Sequence, residues 1–163
     1  MLPEIGSAGL DLEQLARRLA AEVPGLQGVS IQQPDTVVAG VDPAAMHDVA
    51  RAVHDLPGIA FEQLNFVAGV DHVSHLESVY HLYSFAANLY LELHVEVPRA
   101  RPEVDTISDV WPSADWHERE AWDMLGIVYL NHPDLRRILL KDDWVGHPLR
   151  KDYVDLVENH PYV

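Results

Sequence analysis

The chain has 163 residues, with 26 Asp and Glu against 11 Lys and Arg, a formal net charge of −15 at pH 7, and no cysteine. That length supports a folded body with its own core. The missing thiols exclude disulfides, thiolate zinc sites and Cys-ligated iron–sulfur clusters within the chain. The acidic excess argues against a nucleic-acid binder, which presents a basic face.

No apolar run approaches the roughly 20 residues that cross a bilayer. The longest candidate, Val79 to Val97, is broken by His81, Asn88, Glu92, His94 and Glu96. The N-terminus lacks the basic-then-apolar pattern of a signal peptide. These features lead to the expectation of a soluble, cytoplasmic polypeptide.

Taken in order, Met1 to Leu10 has no period. Asp11 to Val23 predicts a helix, because Leu12, Leu15, Ala16, Leu19, Ala20 and Val23 form one stripe at helical spacing. Asp11 with Gln14 resembles a capping box, and Pro24-Gly25 stops the helix. Val29 to Ile31 and Thr36 to Val41 read as strands around a turn at Gln33-Pro34-Asp35. Asp42-Pro43 then opens a second helix carrying Met46, Val49, Ala50, Val53 and Leu56 on one face.

Three more strands follow. Leu64, Phe66, Ala68 and Val70 alternate with polar or small neighbours, Val79 to Phe85 is a second run, and Leu89 to Val97 alternates cleanly. The short link at Ala87-Asn88 predicts a hairpin. The expected fold class is α+β: two N-terminal helices packed on an antiparallel sheet, then a further helix and an extended, mostly irregular C-terminal strap. The expected boundary lies near Pro98, giving an α+β domain at 1–98 and a helix plus strap at 99–163. Within the latter, Ile107 to Trp111 forms a short turn. Ser113 to Leu125 forms a helix closed by Gly126, and little regular structure is expected beyond Leu130.

The segment from Trp116 to Tyr153 differs from everything before it. It holds five of the eleven Lys and Arg between Arg136 and Lys151, and three of the four Trp. Glu118, Arg119, Glu120 and Asp123 crowd one helix, beside Trp116 and Trp122. Four charges can mean a solvated face. Two large aromatics among them imply instead that the helix is covered, and covered charges need partners. The Arg136-Arg137 pair is one candidate partner within the chain, and another subunit is the alternative. His132-Pro133-Asp134-Leu135-Arg136 and His147-Pro148-Leu149-Arg150 partly echo one another, each proline favouring an extended conformation at its histidine. Their guanidinium groups favour bidentate carboxylate contacts.

No glycine-rich phosphate loop is present, and no His-Glu-x-x-His pattern. The histidines at 72 and 75 have helical spacing but fall in a predicted turn, a weak signal for a metal site. No serine lies in a nucleophile elbow. A free-standing hydrolase or metal enzyme built on the histidines ranks last.

Two motifs carry a resemblance. One is Glu118-Arg119-Glu120-x-x-Asp123-Met124-Leu125-Gly126-Ile127 followed by His132-Pro133-x-Leu135-x-Arg137-Ile138-Leu139. The other is Asp143-Trp144-x-Gly146-His147-Pro148-Leu149-Arg150-Lys151-Asp152-Tyr153. With Trp111-Pro112-Ser113-Ala114-x-Trp116 before them, they resemble the 30 kDa (C) subunit family of NADH-quinone oxidoreductase, respiratory complex I. Asn131 stands where that family often has Gly, and Lys141 where Pro is common. Related subunits occur in energy-converting hydrogenases and in F420- or ferredoxin-linked dehydrogenases.

The resemblance implies a non-catalytic subunit of the hydrophilic arm with no cofactor of its own. FMN and iron–sulfur clusters would lie in partner subunits. It implies contacts with the D, B and I subunits of complex I, of which D carries the quinone site. The complex would lie at the cytoplasmic side of the inner membrane and pass electrons from NADH to quinone with proton translocation. The candidate interface residues are Trp116, Glu118, Arg119, Glu120, Asp123, Gly126, His132, Pro133, Arg136, Arg137, Trp144, Gly146, His147, Pro148, Arg150, Lys151 and Tyr153. Their charged members are expected to form intersubunit ion pairs, and Trp116, Trp144 and Tyr153 to be the apolar anchors.

Overall fold

A computed structural model describes residues 10–154. The first helix, α1, spans Leu12–Glu22 and begins on the expected capping box. Gln14 donates its backbone N–H to Asp11 Oδ1 at 2.7 Å, and Asp11 donates its own to Gln14 Oε1 at 3.2 Å. Its stripe buries Leu15 and Leu19. The second helical region starts more tightly than its spacing predicts. Asp42 accepts from the Ala44 N–H at 2.9 Å and holds a 3-10 turn, Pro43–Ala45. The turn leads into α2, Met46–His54, which buries Met46, Val49, Ala50 and Val53.

Five strands form the main sheet: β1 Leu26–Gln32, β2 Thr36–Val41, β3 Gln63–Asp71, β4 His75–Ser84 and β5 Leu89–Pro98. Their spatial order is β1-β2-β5-β4-β3. The hairpins β1–β2, β3–β4 and β4–β5 are antiparallel, as alternation predicts. The junction is not: β2 pairs with β5 in parallel, Val37 opposite Leu91 and Ala39 opposite Leu93. The sheet is therefore mixed, which corrects the expected antiparallel one. After β2 the chain leaves through α2 before returning, and only such a long crossover can bring two strands side by side in parallel.

The strand at 63–71 also departs from its simple reading. A bulge shifts the register between Leu64 and Phe66. One inserted residue reverses the alternation beyond it. Leu64 and Val67 are buried, whereas Phe66 and Val70, expected on the same face as Leu64, are exposed. Gly69 faces inward, and a Cβ there would lie 2.5 Å from Leu125 Cδ1, so the missing side chain is what lets the following helix approach.

Beyond Pro98 come β6 Glu103–Asp105, a turn at 107–111, α3 Ala114–Leu125 and β7 Val128–Leu130. β6 and β7 pair in parallel as a second, two-stranded sheet that periodicity cannot reveal in runs of three residues. One apolar core runs through both halves of the chain, from Leu15 and Leu19 to Leu125, Ile127 and Tyr129. Two polar ties support it. Trp111 Nε1 donates to Phe61 O at 3.1 Å, and the hydroxyls of Ser78 and Tyr129 meet at 2.8 Å. Residues 131–154 contain no helix or strand.

Candidate subunit interface

Helix α3 is the post around which residues 131–154 are wound. Its last turn leaves carbonyl groups without helical partners. Gly126 closes it with φ 74°, and its N–H donates to Trp122 O at 2.8 Å. The remaining carbonyls are taken by the returning chain. His147 Nδ1 lies 3.0 Å from Asp123 O, the Leu149 N–H donates to Met124 O at 3.1 Å, and Arg150 Nε donates to Leu125 O at 2.6 Å. The negative end of the helix dipole is thus met by a cation. A Cβ on Gly126 would lie 2.6 Å from the His147 ring, so this close approach requires glycine on both steric and backbone grounds.

Asp123 is the hub. Its side chain is fully buried. Oδ2 accepts from three consecutive backbone N–H groups, Ile138 at 3.1 Å, Leu139 at 2.9 Å and Leu140 at 3.0 Å. Oδ1 accepts from Arg137 Nη1 at 2.5 Å. Burial pushes this carboxyl's pKa up, but the Leu140, Leu139, Arg137 and Ile138 donors outweigh it and hold the group below its ordinary value. Arg137 also donates to Trp144 O at 2.9 Å and lies over the Trp122 ring. Arg119, itself buried, donates Nε to Arg136 O at 3.2 Å and lies 5.1 Å from the Trp116 ring centroid.

Glu118 points the other way. Its Oε1 accepts from the Ile107 N–H at 2.8 Å and its Oε2 from the Thr106 hydroxyl. Burial raises its pKa to about 7. The His132 side chain is also fully buried, with Nε2 3.3 Å from Asp115 and 3.8 Å from Glu118. Of the two downstream arginines expected to meet the acids of α3, Arg137 does so. Arg136 is exposed and pairs with Asp134 at 2.8 Å.

The remaining candidates divide by exposure. Trp116, Glu120, Pro133, Gly146 and Lys151 are exposed; Trp144, His147, Pro148, Arg150 and Tyr153 are half-buried. Gly146, at φ 88°, lets the Tyr153 ring lie against its backbone. Asn131 takes φ 63°, a left-handed conformation that Asn tolerates well among non-glycine residues.

Two groups of residues were not legible in the motif. Asp71, at the end of β3, accepts from Arg99 Nη1 at 2.6 Å, from the Lys151 N–H at 2.8 Å and from the Val73 N–H at 2.7 Å. Arg99 holds its carboxyl well below the usual range, and also grips Asp152. The segment's far end is thus tied to the sheet. An acid closing an otherwise apolar strand was the available signal. The second group is apolar: Leu139, Val145 and Leu149 are each 61% exposed, and Trp116 is 62% exposed. Arg137 and His147 thus turn inward, while Leu139, Val145 and Leu149 turn outward. No helix of the described residues is long and apolar enough to cross a membrane.

Comparison with known proteins identifies the family. The family model described as respiratory-chain NADH dehydrogenase, 30 Kd subunit, matches residues 39–158. The NADH-quinone oxidoreductase C subunit of Roseiflexus castenholzii is 43% identical over 147 residues, covering 88% of this chain and 84% of the relative. That of Herpetosiphon aurantiacus is 37% identical over 147 residues, with 88% and 85% covered. Among solved structures, a chain of the membrane-bound sulfane sulfur reductase, an archaeal respiratory membrane complex, superposes with a TM-score of 0.75 at 20% identity, covering 90% of this chain and 86% of that one. The trypsin-resistant fragment (1-134) of Nqo5 does so with a TM-score of 0.59 at 24% identity, covering 76% and 98%. The fold is shared with both, and the family model together with the relatives establishes that this chain belongs to the respiratory-chain NADH dehydrogenase 30 Kd subunit family, that of the NADH-quinone oxidoreductase C subunits.

Proposed function

We propose that this chain is a hydrophilic-arm subunit that holds other subunits in register and carries no redox centre itself. FMN and the iron–sulfur clusters lie in its partners, and the complex passes electrons from NADH to quinone with proton translocation at the cytoplasmic face of the membrane. The D, B and I subunits, the first with the quinone site, are the neighbours it clasps. One observation carries the reading: residues 131–154, without helix or strand, are locked onto α3 by polar contacts, and the unit so formed displays Trp116 of the helix and Leu139 and Leu149 of the segment to the outside. Exposed apolar side chains on a fixed scaffold are what a partner's surface buries.

Within this reading the roles of the charged residues differ. Asp123, Arg119 and Arg137 shape the segment from within, and Glu118 fixes the turn at Thr106 and Ile107. Arg136, Glu120 and Lys151 are the outward charges that meet a partner. Arg136→Ala is accordingly expected to leave the isolated chain's melting temperature unchanged and to lower the yield of assembled complex, read on a native gel and by quinone-reductase activity. Wild-type assembly in that variant counts against the role given to Arg136.

A second reading places the chain in a related energy-converting hydrogenase or F420- or ferredoxin-linked complex. The fold is also that of a chain of the membrane-bound sulfane sulfur reductase, so the architecture is not confined to NADH-linked complexes. Co-purification with a flavin-bearing NADH module, rather than with a nickel-bearing subunit, distinguishes the two.

A further inference from the structure

The five-stranded sheet has two outer edges, and they are built differently. At one end β1 reads Leu26-Gln27-Gly28-Val29-Ser30-Ile31-Gln32, polar at alternate positions and bulged between Gln27 and Ser30. Such features blunt an edge against pairing. At the other end β3 runs Phe66-Val67-Ala68-Gly69-Val70 with no charge and no proline, and its one bulge lies before this stretch. No described strand pairs with its outer side. Phe66 and Val70 are exposed on the open face of the sheet beside this edge, with the Phe66 ring stacked on His81. α3 packs beside this strand without pairing to it, and an apolar edge with no strand beside it is one that strand addition can use.

The same stretch forms one wall of a groove of about 290 Å³. The other wall is α3, through His117, Glu120 and Met124, with Leu149 of the segment wound on it. Leu149, one of the exposed apolar side chains of that segment, lines the groove.

We infer that this groove receives an extended segment of a neighbouring subunit, which adds as a sixth strand along Phe66–Val70, places alternate apolar side chains under α3 and carries a Lys or Arg opposite Glu120. Strand addition of this kind takes its affinity from main-chain hydrogen bonds and its selectivity from the alternating pockets. Charge chooses the occupant. A second copy of this chain would bring another −15, and like charges brought together disfavour pairing. Glu120 is exposed and forms no hydrogen bond or ion pair among the described residues, so a basic partner meets an uncommitted carboxylate.

This inference rests on the subunit reading, and the test separates the two. Amide hydrogen exchange is followed on the full chain, alone and within the purified complex. Exchange at Phe66–Val70 is expected to slow at least about tenfold on assembly. A photo-crosslinking residue replacing Phe66 is expected to join a partner peptide containing Lys or Arg in the same complex. Glu120→Arg is expected to reduce both signals, with the variant's melting temperature unchanged. Protection of residues 139–149 without protection of Phe66–Val70 overturns the groove and leaves the subunit reading standing. Protection of neither overturns both. Concentration-dependent dimerisation of the isolated chain that protects Phe66–Val70 overturns the choice of a foreign occupant.

Discussion

Glu118 shows how a single side chain sets a pH dependence. Its closest hydrogen-bond partners are the Ile107 N–H and the Thr106 hydroxyl, both neutral. Burial therefore dominates, the nearby Asp115 and Asp109 add to it, and the pKa rises to about 7. A carboxyl that binds its proton more tightly folded than unfolded stabilises the fold below its unfolded value, near 4.5. That contribution is lost as pH rises through about 7. The shift corresponds to on the order of 3 kcal/mol. Glu118→Gln keeps an acceptor for Ile107 and removes the ionisation. Its unfolding free energy is expected to vary less than wild type between about pH 5 and 8, and to equal or exceed wild type at the upper end of that range. Parallel pH profiles for the two proteins, from denaturant titrations, would show that Glu118 does not titrate in this window.

At the scale of elements, α3 and residues 131–154 form one unit, because each satisfies the other's open backbone groups. Asp123 holds three N–H groups and one guanidinium while the returning chain caps three carbonyls of the last turn. Asp123→Ala leaves Arg137 and those N–H groups without their acceptor. Removing one partner of a buried ion pair costs about 3–5 kcal/mol. The expected result is a lower denaturation midpoint, with exchange at Ile138, Leu139 and Leu140 accelerated before the sheet opens. Because its folded pKa is depressed, Asp123 contributes this stability above its unfolded pKa, near 3.8, and loses it as pH falls through the folded value. An unchanged midpoint would mean that the segment is held mainly elsewhere, for instance through Asp71 and Arg99.

For the whole molecule, the contrast between the buried ionic hub at Asp123 and the exposed leucines of the segment separates stability from assembly. Leu139→Asp and Leu149→Asp alter side chains that are 61% exposed. They are expected to leave the melting temperature of the isolated chain nearly unchanged, since exposed substitutions fall within roughly ±0.5 kcal/mol. Assembly with the partner subunits, read on a native gel, is expected to fall sharply. Loss of stability together with assembly would place these leucines in the fold rather than at its boundary.

Much of this was legible from residues close together in the chain. The Asp11–Gln14 capping box, the alternation of β5 and the glycine closing α3 each depend on neighbours within a few positions, so spacing alone reveals them. The motif from Trp116 to Tyr153 likewise announced a covered, charged helix. Spacing cannot say which strand lies beside which, so the parallel junction of β2 and β5 and the bulge in β3 had to be seen. Nor can it decide which charges face inward. The Lys151 N–H meets Asp71 across 80 positions of sequence, and Asp123 finds its donors only when the chain returns. Composition and local order thus determined the longer elements and the family pattern, but not the three-residue strands β6 and β7. Tertiary structure alone decided that Asp123, Arg119, Arg137 and Arg150 bind the segment to its own helix, because contacts between residues far apart in sequence leave no period to read.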